Sequence, residues 1–299
     1  MKSNQIEALV AIANAGSISG AAAILNKSQP AVSSLLKGAE QLLGAHIFVR
    51  EPSGMTPTPV GLEIIARARV ISNEYKRLHE QVQQIQGEMI GSVKIMVSPI
   101  AAAKIVPLAI SSFKKKYPTV KIQIESGHSP SAFTPLRQGE VDLVVAPSPV
   151  RASEAVNLAY EALFSVPLCF VAGAGTRFST TSNILDLADA HWLMFGPKER
   201  EYIIQEYLSS LGFKPNTPIT CSDSVLSVMN MLENSDCVCT CPLSLFEDLS
   251  GRWNIVQIPV HVDFGPLEVS VISSSIRPLT VAALALKDAI VKEAAKLSI

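Results

Sequence analysis

Long hydrophobic runs are missing from this 299-residue sequence, although 48% of its residues are hydrophobic. The most apolar stretch, 155–175, is interrupted by Asn157, Glu161, Ser165 and Pro167. No uninterrupted run approaches the roughly 18 residues that a membrane-spanning helix requires, so no membrane partner is expected. The opening MKSNQIEALVAIANAG lacks the apolar core and cleavage site of a secretory leader, which makes a cytoplasmic location the expectation. Cysteine is scarce, with five residues, and in the cytosol these are expected as free thiols. Cys237, Cys239 and Cys241 alternate with Val238 and Thr240, as on one face of a short strand. Two readings stay open for them: small core residues, or a three-thiolate metal or redox site. Same-face strand neighbours converge poorly on one ion and no Cys or His partner stands at zinc-finger spacing, which favours the core.

Positive charge is not in excess either. Lys and Arg total 25 against 26 Asp and Glu, a net charge of −1, so no global basicity points to nucleic acid. Catalytic signatures are missing as well: there is no G-x-S-x-G elbow, phosphate-binding loop, G-x-G-x-x-G or H-E-x-x-H. The histidines His46, His79, His128, His191 and His261 are scattered along the chain. An enzyme is not expected, nor is a cofactor or metal.

What is present is enough apolar content, at a mean hydropathy of +0.30, to exclude a disordered chain. The length suits two or three modules. In the first sixty residues, Ile6, Leu9, Val10 and Ala13 recur at helical spacing up to Gly16. An Ala-rich helix is expected over 19–25, its small side chains admitting a close neighbour. A third helix opens at Ser28, a good N-cap, with Pro30 in its first turn. Its apolar stripe is Val32, Leu35, Leu36, Ala39, Leu42 and Leu43, and Gly44 stops it. Gln29, Ser33, Ser34 and Lys37 fall on the outer side.

Two short helices joined by a tight turn suit a helix-turn-helix, whose second helix enters the major groove by its N-terminal end. Gln can pair with adenine and Ser can reach bases or phosphates. The same polar face is equally what a solvated helix surface looks like. Residues 46–50 read as a strand, Ser53-Gly54 as a turn and Thr56 as the return: a two-stranded wing with Arg50 available to a phosphate or a minor groove.

The register of Ala21-Ala22, Leu25, Ser28-Gln29-Pro30-Ala31-Val32-Ser33, Glu40, Leu43-Gly44, Phe48, Arg50 and Thr58-Pro59-Val60-Gly61 resembles the winged helix-turn-helix of LysR-type transcriptional regulators. The resemblance implies that Gln29, Pro30, Ser33 and Ser34 meet double-stranded DNA at an operator, with Lys37 and Arg50 beside them. One departure is Ser53, where the family usually carries a second wing arginine. Residues 1–58 hold Lys2, Lys27, Lys37 and Arg50 against Glu7, Glu40 and Glu51, a net +1. Few phosphate contacts per subunit follow, each one fewer flattening the salt dependence by about one unit of slope.

Downstream of Thr58 and Pro59, Ile64, Ala68, Ile71, Tyr75, Leu78, Val82, Ile85 and Met89 step by threes and fours, a heptad repeat over more than three heptads. A single helix packed on its own domain would show a stripe too, but a 3.5-residue period favours a seam between two helices. The resemblance likewise implies a long linker helix that pairs into a homodimer, and a homotetramer through the C-terminal domains. Gly87 and Gly91 are expected to break the helix.

Strands are expected at 93–97, 120–124 and 142–145, with helices at 105–117 and 135–138 between them, which points to a parallel α/β sheet. A second α/β set follows, with strands at 168–171, 192–195, 218–221 and 237–241 and helices near 184–188, 201–211 and 225–232. Strand 267–272 and helix 281–295 return to the first. The phrases KIMVSP, AISSFKKKYPTVKIQIESG and LRQGEVDLVVAP resemble the effector domain of the same family, which implies a two-lobed fold of the periplasmic-binding-protein kind. The expected organisation is a winged helix-turn-helix at 1–58, a linker helix at 59–89, one effector lobe at 92–164 plus 266–299, and a second at 165–265.

Ligands of open α/β sheets sit beyond the carboxyl ends of strands. That rule selects Ser98, the loop at His128 and Ser129, Ala146, Phe195 and Ser222 for a small-molecule effector, a small organic anion among the candidates. Each serine could equally be an ordinary helix N-cap. A solute-binding protein of the transport type is the rival reading of the C-terminal part, and the attached helix-turn-helix argues against it. Ligand closing the cleft would shift the angle between dimers and the DNA bend.

Overall fold

The computed structural model describes the chain except residues 87, 197, 199, 200, 211, 213, 262–264 and 297–299, and the side chain of Ile203. Gly87, expected to break the linker helix, and Leu211, expected to end a helix, therefore lie outside the described residues. The chain divides into two compact units, Met1–Glu88 with Arg137–Glu140, and Met89–Leu136 with Val141–Ile299.

The first unit opens with α1 (Ser3–Ala15), α2 (Ile18–Ile24) and α3 (Gln29–Leu43). Each helix starts and stops where its local chemistry dictates. Gly16 ends α1 with a left-handed φ of 63°. The Ser17 hydroxyl accepts from the Gly20 amide at the start of α2, and that of Ser28 from the Ala31 amide at the start of α3. Gly44 closes α3 at φ 66°. Leu9, Ile12, Ala21, Ala22, Val32, Leu36 and Ala39 form the core between them, the two alanines allowing close approach. The apolar stripe of α3 ends earlier than its sequence suggests: Leu42 and Leu43 are 60% and 43% exposed.

Strands β1 (Phe48–Glu51) and β2 (Gly54–Pro57) pair antiparallel as the wing, Arg50 opposite Met55. Helix α4 (Pro59–Ile85) follows, its N-terminus capped by Thr58. The heptad repeat divides in two. Ile64 and Ala68 pack with Ile65 into the core of the head, whereas Ile71, Tyr75, Leu78, Val82 and Ile85 are 48–70% exposed. Met89, read as the last heptad position, lies beyond the helix and packs in the core of the second unit.

The second unit holds two five-stranded sheets. In the first lobe β3 (Ser92–Val97) runs parallel to β4 (Lys121–Ser126) and β5 (Leu143–Pro147). The returning β12 (Leu267–Ser274) lies antiparallel to β5 and to β6 (Leu158–Val166), so the sheet is mixed rather than all parallel. Residues of β5 alternate between two cores. Leu143 and Val145 face α6 (Ile105–Lys116) and α11 (Val281–Ala294), while Val144 and Ala146 face Phe133 and Leu136 of α7 (Phe133–Arg137). The five-residue α5 (Pro99–Ala103), unforeseen in the sequence, follows β3.

The second lobe orders its strands β11-β7-β10-β8-β9. These are β7 (Leu168–Gly173), β8 (His191–Phe195), β9 (Thr220–Ser222), β10 (Cys237–Pro242) and β11 (Ile255–Gln257). Helices α8 (Glu201–Ser210), α9 (Val225–Asn234) and α10 (Leu243–Ser250) belong to this lobe. Cys169, Cys237, Cys239 and Cys241 pack on one face against Val228, Met229 and Leu232, and Val238 turns to the opposite face beside Trp192. Pro167 alone separates β6 in one lobe from β7 in the other, and its carbonyl accepts from the Leu243 amide at 2.9 Å.

Candidate DNA-reading surface and ligand cavity

In the head, Gln29, Pro30 and Ser33 of α3 and Arg50 of the wing border one open groove, together with Ser17 and Ser53. Ser34 and Lys37 are exposed on α3 but do not border it. The groove is shaped by hydrogen bonds whose donors and acceptors the sequence pattern names without explaining. Glu40 reaches from α3 to accept from the amides of Ile47 (2.7 Å) and Phe48 (3.4 Å), which fixes the start of β1. The Thr58 hydroxyl donates to the His46 carbonyl at 2.8 Å and accepts from the Gly61 amide at 2.8 Å.

A side chain at position 61 is excluded: a Cβ there would lie 1.9 Å from the Ile47 carbonyl oxygen. At the wing tip Gly54 has φ 136°, and its Cβ would lie 2.3 Å from the Gly16 carbonyl, which already accepts from the Met55 amide at 2.7 Å. Glycines and caps thus lock the wing to the helical trio from both ends. Glu40 is the residue whose role sequence reasoning missed. A carboxylate on the inner side of an otherwise polar-out, apolar-in helix is the signal that could have found it.

In the second unit a cavity of about 140 Å³ lies between the lobes. Ser98, Pro99, Ile100, His128, Pro147 and Leu267 line it from the first lobe. Leu168, Met194, Phe195, Ile204, Thr240, Pro242 and Leu245 line it from the second. Of the six positions selected from the sequence, Ser98, His128 and Phe195 line the cavity. Ser129, Ala146 and Ser222 do not. Ala146 is fully buried on the face of β5 that packs on α7, because strand alternation turns its neighbour Pro147 to the cavity instead. Ser129 is buried beside the cavity but is not part of its wall. The Ser222 hydroxyl accepts from the Ser224 amide at 3.2 Å, and Ser224 caps α9.

Ser98 stands at the N-cap position of α5, yet its side chain makes no capping bond. It is 2% exposed, and its hydroxyl has no hydrogen-bond partner among the described residues. His128, which could have been a surface residue, is 6% exposed. Thr240 was missed because it sits inside a strand, where the strand-end rule does not look. Met194, Ile204 and Leu245 were missed because apolar residues carry no individual signal.

Cys169, Cys237, Cys239 and Cys241 are buried in the core of the second lobe, and Cys221 is half-buried. Burial pushes the Cys169 thiol up to about 12, with a smaller push from Glu247. Cys239 and Cys241 are raised as well, burial again the first cause. Among the described residues no group of three or more His, Cys, Asp or Glu side chains is placed to hold a metal ion. No single helix among them is long and apolar enough to cross a membrane.

Comparison with known proteins agrees with both halves. Residues 3–62 match the family described as bacterial regulatory helix-turn-helix protein, lysR family, and residues 86–295 match the LysR substrate binding domain. The chain is 24% identical over 253 residues to the HTH-type transcriptional regulator TdcA of Escherichia coli, covering 84% of this chain and 80% of that one. It is 32% identical over 143 residues to the uncharacterized HTH-type transcriptional regulator YkuM of Bacillus subtilis, a match spanning 48% of this chain and 49% of that relative. Among solved structures, a full-length OxyR variant from Pseudomonas aeruginosa superposes with a TM-score of 0.70 at 22% identity, covering 97% of this chain and 94% of that one. CbnR, a LysR family transcriptional regulator, superposes with a TM-score of 0.70 at 16% identity over 98% and 99% of the two chains. With a helix-turn-helix head and a two-lobed substrate-binding domain each matched along its length, the chain belongs to the LysR family of DNA-binding transcriptional regulators.

Proposed function

We propose that this regulator reads operator DNA with the exposed start of α3 and the wing, and responds to a small molecule held in the interlobe cavity. Gln29 and Ser33 meet base edges in the major groove, Pro30 and Ser34 pack beside them, and Lys37 and Arg50 take phosphates. Ser98, His128 and Phe195 contact the effector. Ser129, Ala146 and Ser222, outside the cavity wall, act at most by shaping it. The observation that carries the reading is the convergence of Gln29, Ser33 and Arg50 on one exposed groove of a wing locked in place by Glu40, Thr58 and Gly61.

The apolar positions of α4 from Ile71 to Ile85 pair with a second copy, and effector domains pair further into a homotetramer. This sets the spacing of two recognition helices on an approximately palindromic site. The protein works in the cytoplasm, where the DNA is, and carries out no catalysis. The rival reading as a transport-type binding protein leaves the matched helix-turn-helix without a use.

The test is a gel-shift and footprinting experiment on DNA upstream of the chain's own gene, across a salt series. The expected result is a two-half-site footprint whose sequence preference Gln29→Ala and Ser33→Ala relax. Indifference of the wild-type protein to duplex DNA at low salt overturns the reading.

A further inference from the structure

We infer that the interlobe cavity takes an uncharged, mainly apolar molecule of about one ring in size that offers a single hydrogen-bonding group to Ser98, and that it disfavours a small carboxylate. The inference rests on the proposed reading of this cavity as the effector site, and departs from the organic anion that strand-end reasoning admits.

Size is the first argument. The volume of about 140 Å³ is close to the roughly 150 Å³ of an apolar cavity known to admit benzene. Lining is the second. Ten of the thirteen lining residues are apolar, leaving only Ser98, His128 and Thr240, and none of the described lining residues is Lys or Arg. A carboxylate moved into such surroundings needs a cation or several convergent donors, and without them its desolvation is not offset.

Three backbone amides at the strand ends are already engaged and are not open to such a group. At the strand ends where an anion would be cradled, the Ser98 amide donates to the Val145 carbonyl at 2.9 Å and the Gly127 amide to the Val97 carbonyl at 3.0 Å. Across the cleft the Gly196 amide donates to the Ser222 carbonyl at 2.9 Å. Helix α5, which starts at the cavity, has only five residues, too few to build a useful dipole.

Of the three polar groups in the wall, the Ser98 hydroxyl is the most deeply buried. Ser98 Oγ is shut off from solvent and lacks a partner among the described residues, so a ligand hydroxyl, carbonyl or amide placed there supplies the bond that the fold omits. Phe195 and Met194 add an aromatic ring and a polarizable thioether, both suited to an aromatic ligand.

The test is isothermal titration and thermal-shift measurement on the full-length protein with toluene, phenol, benzyl alcohol, benzoate and succinate at pH 7.5. Phenol or benzyl alcohol is expected to bind at least tenfold more tightly than benzoate, with succinate silent. Ser98→Ala should cost the hydroxylated probes about five- to tenfold while leaving toluene unchanged. Thr240→Phe, with Thr240→Leu as a milder filling, should weaken all ring probes, with circular dichroism checking that the fold is kept.

Benzoate binding as tightly as benzyl alcohol, or no uncharged probe binding at all, overturns the ligand class. If a carboxylate shifts the footprint and Thr240→Phe blocks it, the cavity remains the effector site and only the ligand class falls. If ring probes bind Thr240→Phe like wild type, the cavity assignment itself falls and the inference with it.

Discussion

Replacing Leu78 and Val82 together by aspartate perturbs the exposed seam of α4 at two successive heptad positions. In the isolated chain Leu78 is 58% and Val82 48% exposed, so about half of each side chain is left to be buried by a partner. Complete burial of a Leu or Val is worth about 1.5–3 kcal/mol, which leaves roughly 1 kcal/mol per side chain still to be gained. A twofold seam uses each position twice, so the pair supplies on the order of 4 kcal/mol, or about a thousandfold in dimer Kd. Aspartate also introduces charge into the interface, so this figure is a lower bound. Sedimentation velocity over a concentration series gives the Kd directly, and far-UV circular dichroism checks that α4 stays helical. The same samples should lose affinity for a two-half-site operator and keep their weak affinity for a single half-site. A double variant that sediments and binds the full operator like wild type would refute the seam, and the pairing argument with it.

Further outcomes follow from the head and the second lobe. Gly61→Ala forces its Cβ onto the Ile47 carbonyl and should cost more than about 3 kcal/mol of stability by denaturant melting. Gly38→Ala, whose Cβ meets only the flexible end of Gln5 at 3.0 Å inside a helix, should be neutral or stabilise by up to about 1 kcal/mol. Arg50→Ala should lower the slope of log K against log salt by about one unit per subunit; an unchanged slope would remove Arg50 from the phosphate contacts. Because burial raises Cys169 from 9.0 to about 12, the unfolded chain releases this proton first as pH rises. Its contribution to stability is therefore complete below pH 9 and declines from there toward 12. A melting temperature that stays flat across that window, or rapid labelling of Cys169 by a thiol reagent at about pH 8, contradicts a buried, protonated thiol.

Much of the head was legible because its signals are local. Ser28, Pro30, Gly44 and Thr58 each act on their own helix end, and a cap or a left-handed residue is visible without knowing the fold. What was illegible is set by tertiary partners. The heptad stripe of α4 is continuous in sequence, but its first part is used by the core of the head, and nothing in the period distinguishes the two uses. Strand β6 escaped because five of its nine residues are exposed without a clean alternation, and it is held by its long pairing with β12 instead. At the cavity, the strand-end rule found Ser98, His128 and Phe195 but took Ala146 for its neighbour Pro147, since one residue of register decides which face a side chain joins. Apart from Phe195, the second lobe's wall was invisible, because apolar residues that line a cavity look in sequence like residues of a core.

The two lobes are joined by Pro167 on one side and by the run from Gln257 to Leu267 on the other. Leu168 and Leu267, the first strand residues after each crossing, are both part of the cavity wall. Any change of angle between the lobes has to be absorbed beside these two leucines, in the wall of the cavity proposed as the effector site. A molecule there acts as a wedge at the fulcrum. One methyl group added or removed against Leu168 or Leu267 should alter lobe angle more than the same group placed elsewhere on the wall, so closely related compounds can differ in signalling while binding with similar strength.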